Sequence, residues 1–160
     1  MRIEIVNRQR VAWVPVRLLR ALAADLMQAA TRRGRPRSWS TLTLVLLDDR
    51  GIKGVNEEVF GRTYVTDVIS QAYRPQPGPE AGWSGELFLN VQRAVTEGAT
   101  RPGGPGAELA LYLAHGCDHL TGGRDDTPTR RATMRRRETA WLRQLVRAGT
   151  ALAPLVPPRP

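Results

Sequence analysis

Apolar positions along the chain switch between a period of two and a period near 3.6, and each switch marks a predicted strand or helix. Ile3 to Val6 alternates as a first strand. From Pro15 onward, Val16, Leu19, Leu22, Ala23 and Leu26 recur at helical spacing, and Pro15 suits a first turn. Gly34-Arg35-Pro36 breaks that helix. Thr41 to Leu47 becomes apolar on both faces, the mark of a central strand. Asp48-Asp49 then caps a short helix reaching Val55 to Val59. Thr66 to Ser70 and Gly85 to Val91 read as two more strands around a Pro- and Gly-rich loop from Arg74 to Gly82. A short helix follows near Gln92 to Gly98, then a hinge from Thr100 to Gly106.

The next helix, Glu108 to Leu120, has Leu109, Leu113, Gly116 and Leu120 as its core stripe. Glu108, in its first turn, suits the helix dipole. A last helix runs from about Pro128 to Ala148, with Met134, Trp141, Leu142, Leu145 and Val146 inward and arginines outward. The Pro-rich stretch from Ala151 to Pro160 is expected to be a flexible tail. This order predicts a single α+β domain over residues 1–150, with a mixed sheet of about four strands and about five helices. No internal repeat is visible.

Length and composition narrow the class. One hundred and sixty residues suffice for one genuine core, and no apolar run approaches the ~20 residues that span a bilayer. The start, Met1 to Ile5, lacks the layout of a signal peptide. The single cysteine, Cys117, excludes an internal disulfide and suits a reducing cytoplasm. Charge is uneven: residues 1–37 carry nine arginines against two acids, residues 38–123 are net acidic, and residues 124–147 carry eight arginines against three acids. The total of +9 favours a polyanionic partner, nucleic acid above all, and arginine's planar fork suits phosphate.

Candidate chemistry centres on the only two histidines, His115 and His119. At i and i+4 they share a helix face, so both imidazoles can address one metal ion. Gly122 and Gly123 end the helix, and the turn can bring in Asp125 or Asp126 as a third ligand, leaving one position open for water. Cys117, at i+2 from His115, points away and is expected to pack. The zinc-peptidase pattern puts a glutamate after the first histidine; here that residue is Gly116, which argues against a peptidase.

Taken together, these residues resemble the YbeY family, single-domain metal-dependent endoribonucleases of bacterial ribosomal RNA maturation. Four blocks carry the resemblance in order. They are Leu44 to Asp49 with Ile52 and Asn56; Thr66-Asp67-Val68-Ile69-Ser70; Gly85-Glu86-Leu87; and His115-Gly116 through His119-Leu120, with Gly122 and Asp125. Asp125 stands where the family's third histidine commonly sits, Asp118 replaces a leucine, Phe60 falls where an arginine is usual, and Arg62 where a lysine is typical. Val65 and Gln71 replace a proline and a phenylalanine.

The resemblance implies one Zn²⁺ per chain, held by His115, His119 and Asp125, that activates water to cleave a phosphodiester of single-stranded RNA. It implies Arg62 and Ser70 as catalytic residues, with Arg124 as a further cationic candidate and Asp67 lining the cleft. Glu108, two turns back from His115, is a candidate supporting acid. Implied partners are ribosomal RNA or the small ribosomal subunit, with no membrane, no DNA and a cytoplasmic setting. Two other functions remain open: an RNA- or ribosome-binding assembly factor with weak or lost nuclease activity, and a hydrolase of a small substrate whose binding would be insensitive to salt.

Overall fold

The computed structural model describes residues 1–33, 37–75 and 81–158. The predicted break at Gly34-Arg35-Pro36 and most of the Arg74–Gly82 loop therefore lie outside the described residues.

Four strands form one sheet in the order β1-β2-β4-β3, where β1 is Arg2–Asn7, β2 Trp39–Leu47, β3 Val68–Tyr73 and β4 Trp83–Asn90. β1, β2 and β4 run parallel, and β3 is antiparallel to β4. Among the described residues five α-helices surround the sheet: α1 Val16–Arg33, α2 Asp49–Phe60, α3 Val91–Gly98, α4 Gly104–Leu120 and α5 Pro128–Arg147. The α+β class, the mixed four-stranded sheet and the five helices agree with the pattern in the chain.

The two-faced apolar run of β2 is explained by its interior place. Leu42, Leu44 and Leu46 face the main core with Leu19, Leu22 and Leu26 of α1 and Leu109 and Leu113 of α4. Val45 and Leu47 face the other way, onto Ile52 of α2 and Ile69 of β3. Asp48 caps α2 by accepting from the Gly51 amide at 2.8 Å, as its place before the helix predicts.

α4 is the central helix. It begins at Gly104, inside the expected hinge, so Glu108 sits in its second turn and not at the dipole end. Glu108 is buried and ion-paired with Arg101, in place of the dipole or supporting role expected of it. Gly116 lies against β4: a Cβ there would fall 2.8 Å from a Leu87 methyl and 3.1 Å from a Val68 methyl. The glycine between the two histidines lets the helix settle onto the sheet beside the start of β3.

Two expectations need correction. The supposed tail packs: Ala153–Leu155 forms a 3-10 turn, and Leu155 and Val156 are buried in the core. Leu155 and Val156 complete the face of α4 that the prolines around them disguised. Val146, expected inward, is about half exposed, while Glu138 is buried on the inner face of α5.

Candidate metal centre

His115 and His119 project from the last turns of α4, and their Nε2 atoms stand 3.1 Å apart. Asp125, in the turn after α4, brings Oδ2 to 3.7 Å from each of them. These are the donors of His115, His119 and Asp125, all within 4.8 Å of one another. A tetrahedral ion at 2.0–2.2 Å from nitrogen and oxygen donors needs donors separated by about 3.3 Å. The observed separations bracket that value, so the residues fit a divalent metal. Asp126 is turned away, exposed and paired with Arg124 and Arg130. Asp125, not Asp126, therefore faces the histidines.

Both imidazoles are oriented from behind. His119 Nδ1 lies 3.2 Å from the Gly123 carbonyl. A carbonyl only accepts, so Nδ1 carries the hydrogen and Nε2 keeps its lone pair toward the centre. His115 Nδ1 lies 2.6 Å from Glu138 Oε1, and Glu138 is 2% exposed. This is the carboxylate–histidine pairing that fixes tautomer and raises ligand basicity. Burial lowers the affinity of His115 for a proton, but the Glu138 hydrogen bond and charge, with Asp67 and Asp125, outweigh it and raise its pKa. His119 is lowered by burial and by the neighbouring His115.

The turn bearing Asp125 is clamped. Asp118, 1% exposed, is gripped by Arg137 of α5, whose Nε donates to Oδ2 at 2.9 Å and whose Nη2 donates to Oδ1 at 2.6 Å and also to Oδ2. A Cβ on Gly123 would meet the Asp118 carboxylate at 2.4 Å, so only glycine fits over that ion pair. The Gly123 amide in turn bonds the Asp118 carbonyl at 2.8 Å. On the sheet side, the side chain of fully buried Asn90 donates to Asp49 and to the Thr66 carbonyl and caps α3, while its backbone amide donates to the Asp67 carbonyl. These bonds hold the entrance to β3 beside the histidines.

The donors open onto a cleft of about 330 Å³ lined also by Asn56, Phe60, Arg62, Tyr64, Asp67 and Ser70. A second recess of about 230 Å³ shares His115, Asp125 and Asp67 and adds Tyr112, Arg131 and Arg135. A larger cavity of about 670 Å³ lies elsewhere, against Met27 and Trp39, and holds neither acid nor histidine. Arg62 and Ser70 are thus in the cleft. Arg124 is not: it bonds Asp126 and lines a different pocket. Cys117 is fully buried, as its spacing predicts.

Glu138 and the Asp118–Arg137 pair were not singled out in the sequence. Glu138 sits among arginines, where an acid reads as a surface partner. One signal was available: Met134, Glu138 and Leu142 recur at four-residue spacing and all are buried, so a glutamate interrupts an apolar stripe.

Glu138→Gln is expected to weaken metal binding about 10- to 100-fold. It also shifts the pH dependence. With Glu138 present, the raised His115 pKa makes a proton compete with the metal at higher pH. Without that charge the pKa falls, and the loss of affinity on acidification begins at lower pH. Calorimetric metal titrations between about pH 5 and 8 measure both effects.

A sequence model of the family described as Endoribonuclease YbeY matches residues 4–146. The chain is 36% identical over 125 residues to Endoribonuclease YbeY of Rhodopirellula baltica, covering 76% of this chain and 61% of that protein. It is 31% identical over 136 residues to Endoribonuclease YbeY of Anaeromyxobacter sp. strain Fw109-5, covering 85% and 68%. With Endoribonuclease YbeY of Moorella thermoacetica it shares 30% over 150 residues, 89% of this chain and 96% of the relative. The chain thus spans about three fifths of the Rhodopirellula protein but nearly all of the Moorella one. The solution structure of TM1509 from Thermotoga maritima shares the fold, with a TM-score of 0.51 at 17% identity, covering 92% and 94% of the two chains.

Proposed function

Because the chain belongs to the YbeY endoribonuclease family, we propose that it is a metal-dependent endoribonuclease. It cuts single-stranded RNA in ribosomal RNA maturation and in ribosome assembly or quality control. The observation that carries this reading is the convergence of His115, His119 and Asp125 in one cleft, each imidazole oriented through its Nδ1. Two nitrogens and one oxygen suit zinc with an open fourth position.

When bound, a zinc ion supplies Lewis acidity toward a phosphodiester and acidifies water to near neutrality. The chain's own residues do the rest. Glu138 and the Gly123 carbonyl hold the ring orientations; the Asp118–Arg137 pair holds the turn of Asp125. Arg62 lines the cleft and is the cation placed to meet charge developing on a phosphate, and Ser70 offers a hydroxyl on the same wall. Arg131 and Arg135 flank the neighbouring recess and extend the positive field along α5. Ribosomal RNA or the small ribosomal subunit is the proposed partner, in the cytoplasm. Among the described residues no helix is long and apolar enough to cross a membrane.

The purified protein is expected to cleave single-stranded RNA, to lose that activity on chelation and to regain it on adding zinc. RNA binding should weaken with log salt at a slope of about −0.7 per phosphate contact. Cleavage that persists in excess chelator would overturn the reading.

A further inference from the structure

Exposed aromatic rings gather at the lip of the metal cleft. Phe60 is 49% and Tyr64 55% exposed, and both line the cleft that holds the histidines. Between them, Arg62 reaches both: its guanidinium carbon stands 5.6 Å from the Phe60 ring centre, and Nη1 donates to the Tyr64 hydroxyl at 3.2 Å. The backbone under the rings is fixed. Gly61 ends α2 in the left-handed region at φ 65°, and buried Asn56 takes the Arg62 amide on its carbonyl and donates its side chain to the Tyr64 carbonyl at 2.9 Å.

A single exposed aromatic is ordinary on a protein surface. Two rings on a pinned loop, with a guanidinium between them and a metal centre in the same cleft, answer a narrower need. Unpaired bases present π-faces that stack on Phe, Tyr and Arg planes, whereas bases in a duplex are already stacked. The guanidinium supplies the phosphate contact that a purely apolar lip would lack.

We propose that Phe60 and Tyr64 form a base-stacking subsite that seats unpaired nucleotides beside the phosphate at the metal centre. This rests on the endoribonuclease reading above and makes the two rings its determinants of single-strand selectivity. Arg62 anchors the adjoining phosphate, so the strand enters over the rings and passes to the histidines.

The test is fluorescence anisotropy of the intact protein with a labelled ten-nucleotide single-stranded oligoribonucleotide carrying phosphorothioate linkages. Phe60→Ala and Tyr64→Ala are each expected to lower affinity about tenfold. Phe60→Trp should retain affinity, while Phe60→Leu, apolar without a π-face, should lose as much as alanine. The losses should vanish on an abasic strand of the same length. Unchanged affinity in the alanine variants, equal behaviour of Leu and Trp, or the same loss on the abasic strand overturns the subsite while leaving the nuclease reading intact. Failure of the wild type to bind any single-stranded RNA overturns both.

Discussion

His119→Ala removes one of three converging donors, and stoichiometric metal is expected to fall from one per chain to a trace. RNA cleavage should fall with it, by on the order of 10³-fold, because Lewis-acid stabilisation is worth several kcal/mol and each 1.36 kcal/mol is a factor of ten. The fold should survive. His119 is partly exposed at 25% of its side chain, and its hydrogen-bond partner is a backbone carbonyl in a surface turn. Metal analysis, cleavage assays and thermal melting on one preparation separate these effects. Asp125→Asn should follow the same course more mildly, whereas Asp126→Asn should leave metal content unchanged, since Asp126 faces outward and pairs with Arg124 and Arg130. A His119→Ala protein that keeps full metal and full activity sinks the assignment of the centre.

The second large effect is on stability. Arg137→Ala leaves the Asp118 carboxylate, 1% exposed, without its bidentate partner. Breaking a buried pair in this way costs about 3–5 kcal/mol, because the remaining charge is stranded. Urea unfolding of wild type and variant measures it. Replacing both partners, Asp118→Leu with Arg137→Met, should recover most of the loss, since a hydrophobic pair of similar volume avoids the desolvation penalty. The double variant need not recover metal affinity, because Gly123 packs directly on the Asp118 carboxylate and carries the turn of Asp125. A single-variant loss below about 1 kcal/mol would mean that water reaches Asp118 and the pair is a surface one.

The hydrophobic period located the four strands and five α-helices, although β3 runs Val68–Tyr73 and not Thr66–Ser70, and two of the misses share a cause. Glu108 looked like a dipole residue because Gly104-Pro105-Gly106 reads as a loop, yet that stretch is the first turn of α4. Proline belongs at a helix start, and the helix is anchored there by close packing: a Cβ on Gly106 would lie 2.2 Å from the Leu152 carbonyl. The residues after Gly149 were disguised in the same way. Their prolines suggest a tail, but Leu155 and Val156 fill the remaining gap beside α4. Arg124 was attractive by sequence proximity to Asp125, but a side chain one residue from a ligand points elsewhere in an extended turn.

By itself the sequence determined the helical spacing that puts two imidazoles on one face, the glycines that end that helix, and the apolar run that makes β2 interior. These are local properties, set by backbone period and steric freedom within a few residues. The tertiary structure alone decided which aspartate faces the histidines, and that Glu138, 23 residues from His115, orients its ring. It also decided that Arg137 neutralises Asp118 and that Phe60 and Tyr64 share the cleft of the metal donors. Each of those depends on α5 folding back over α4, or on α2 meeting β3. Such contacts follow from the packing of whole faces, which no short window of residues encodes.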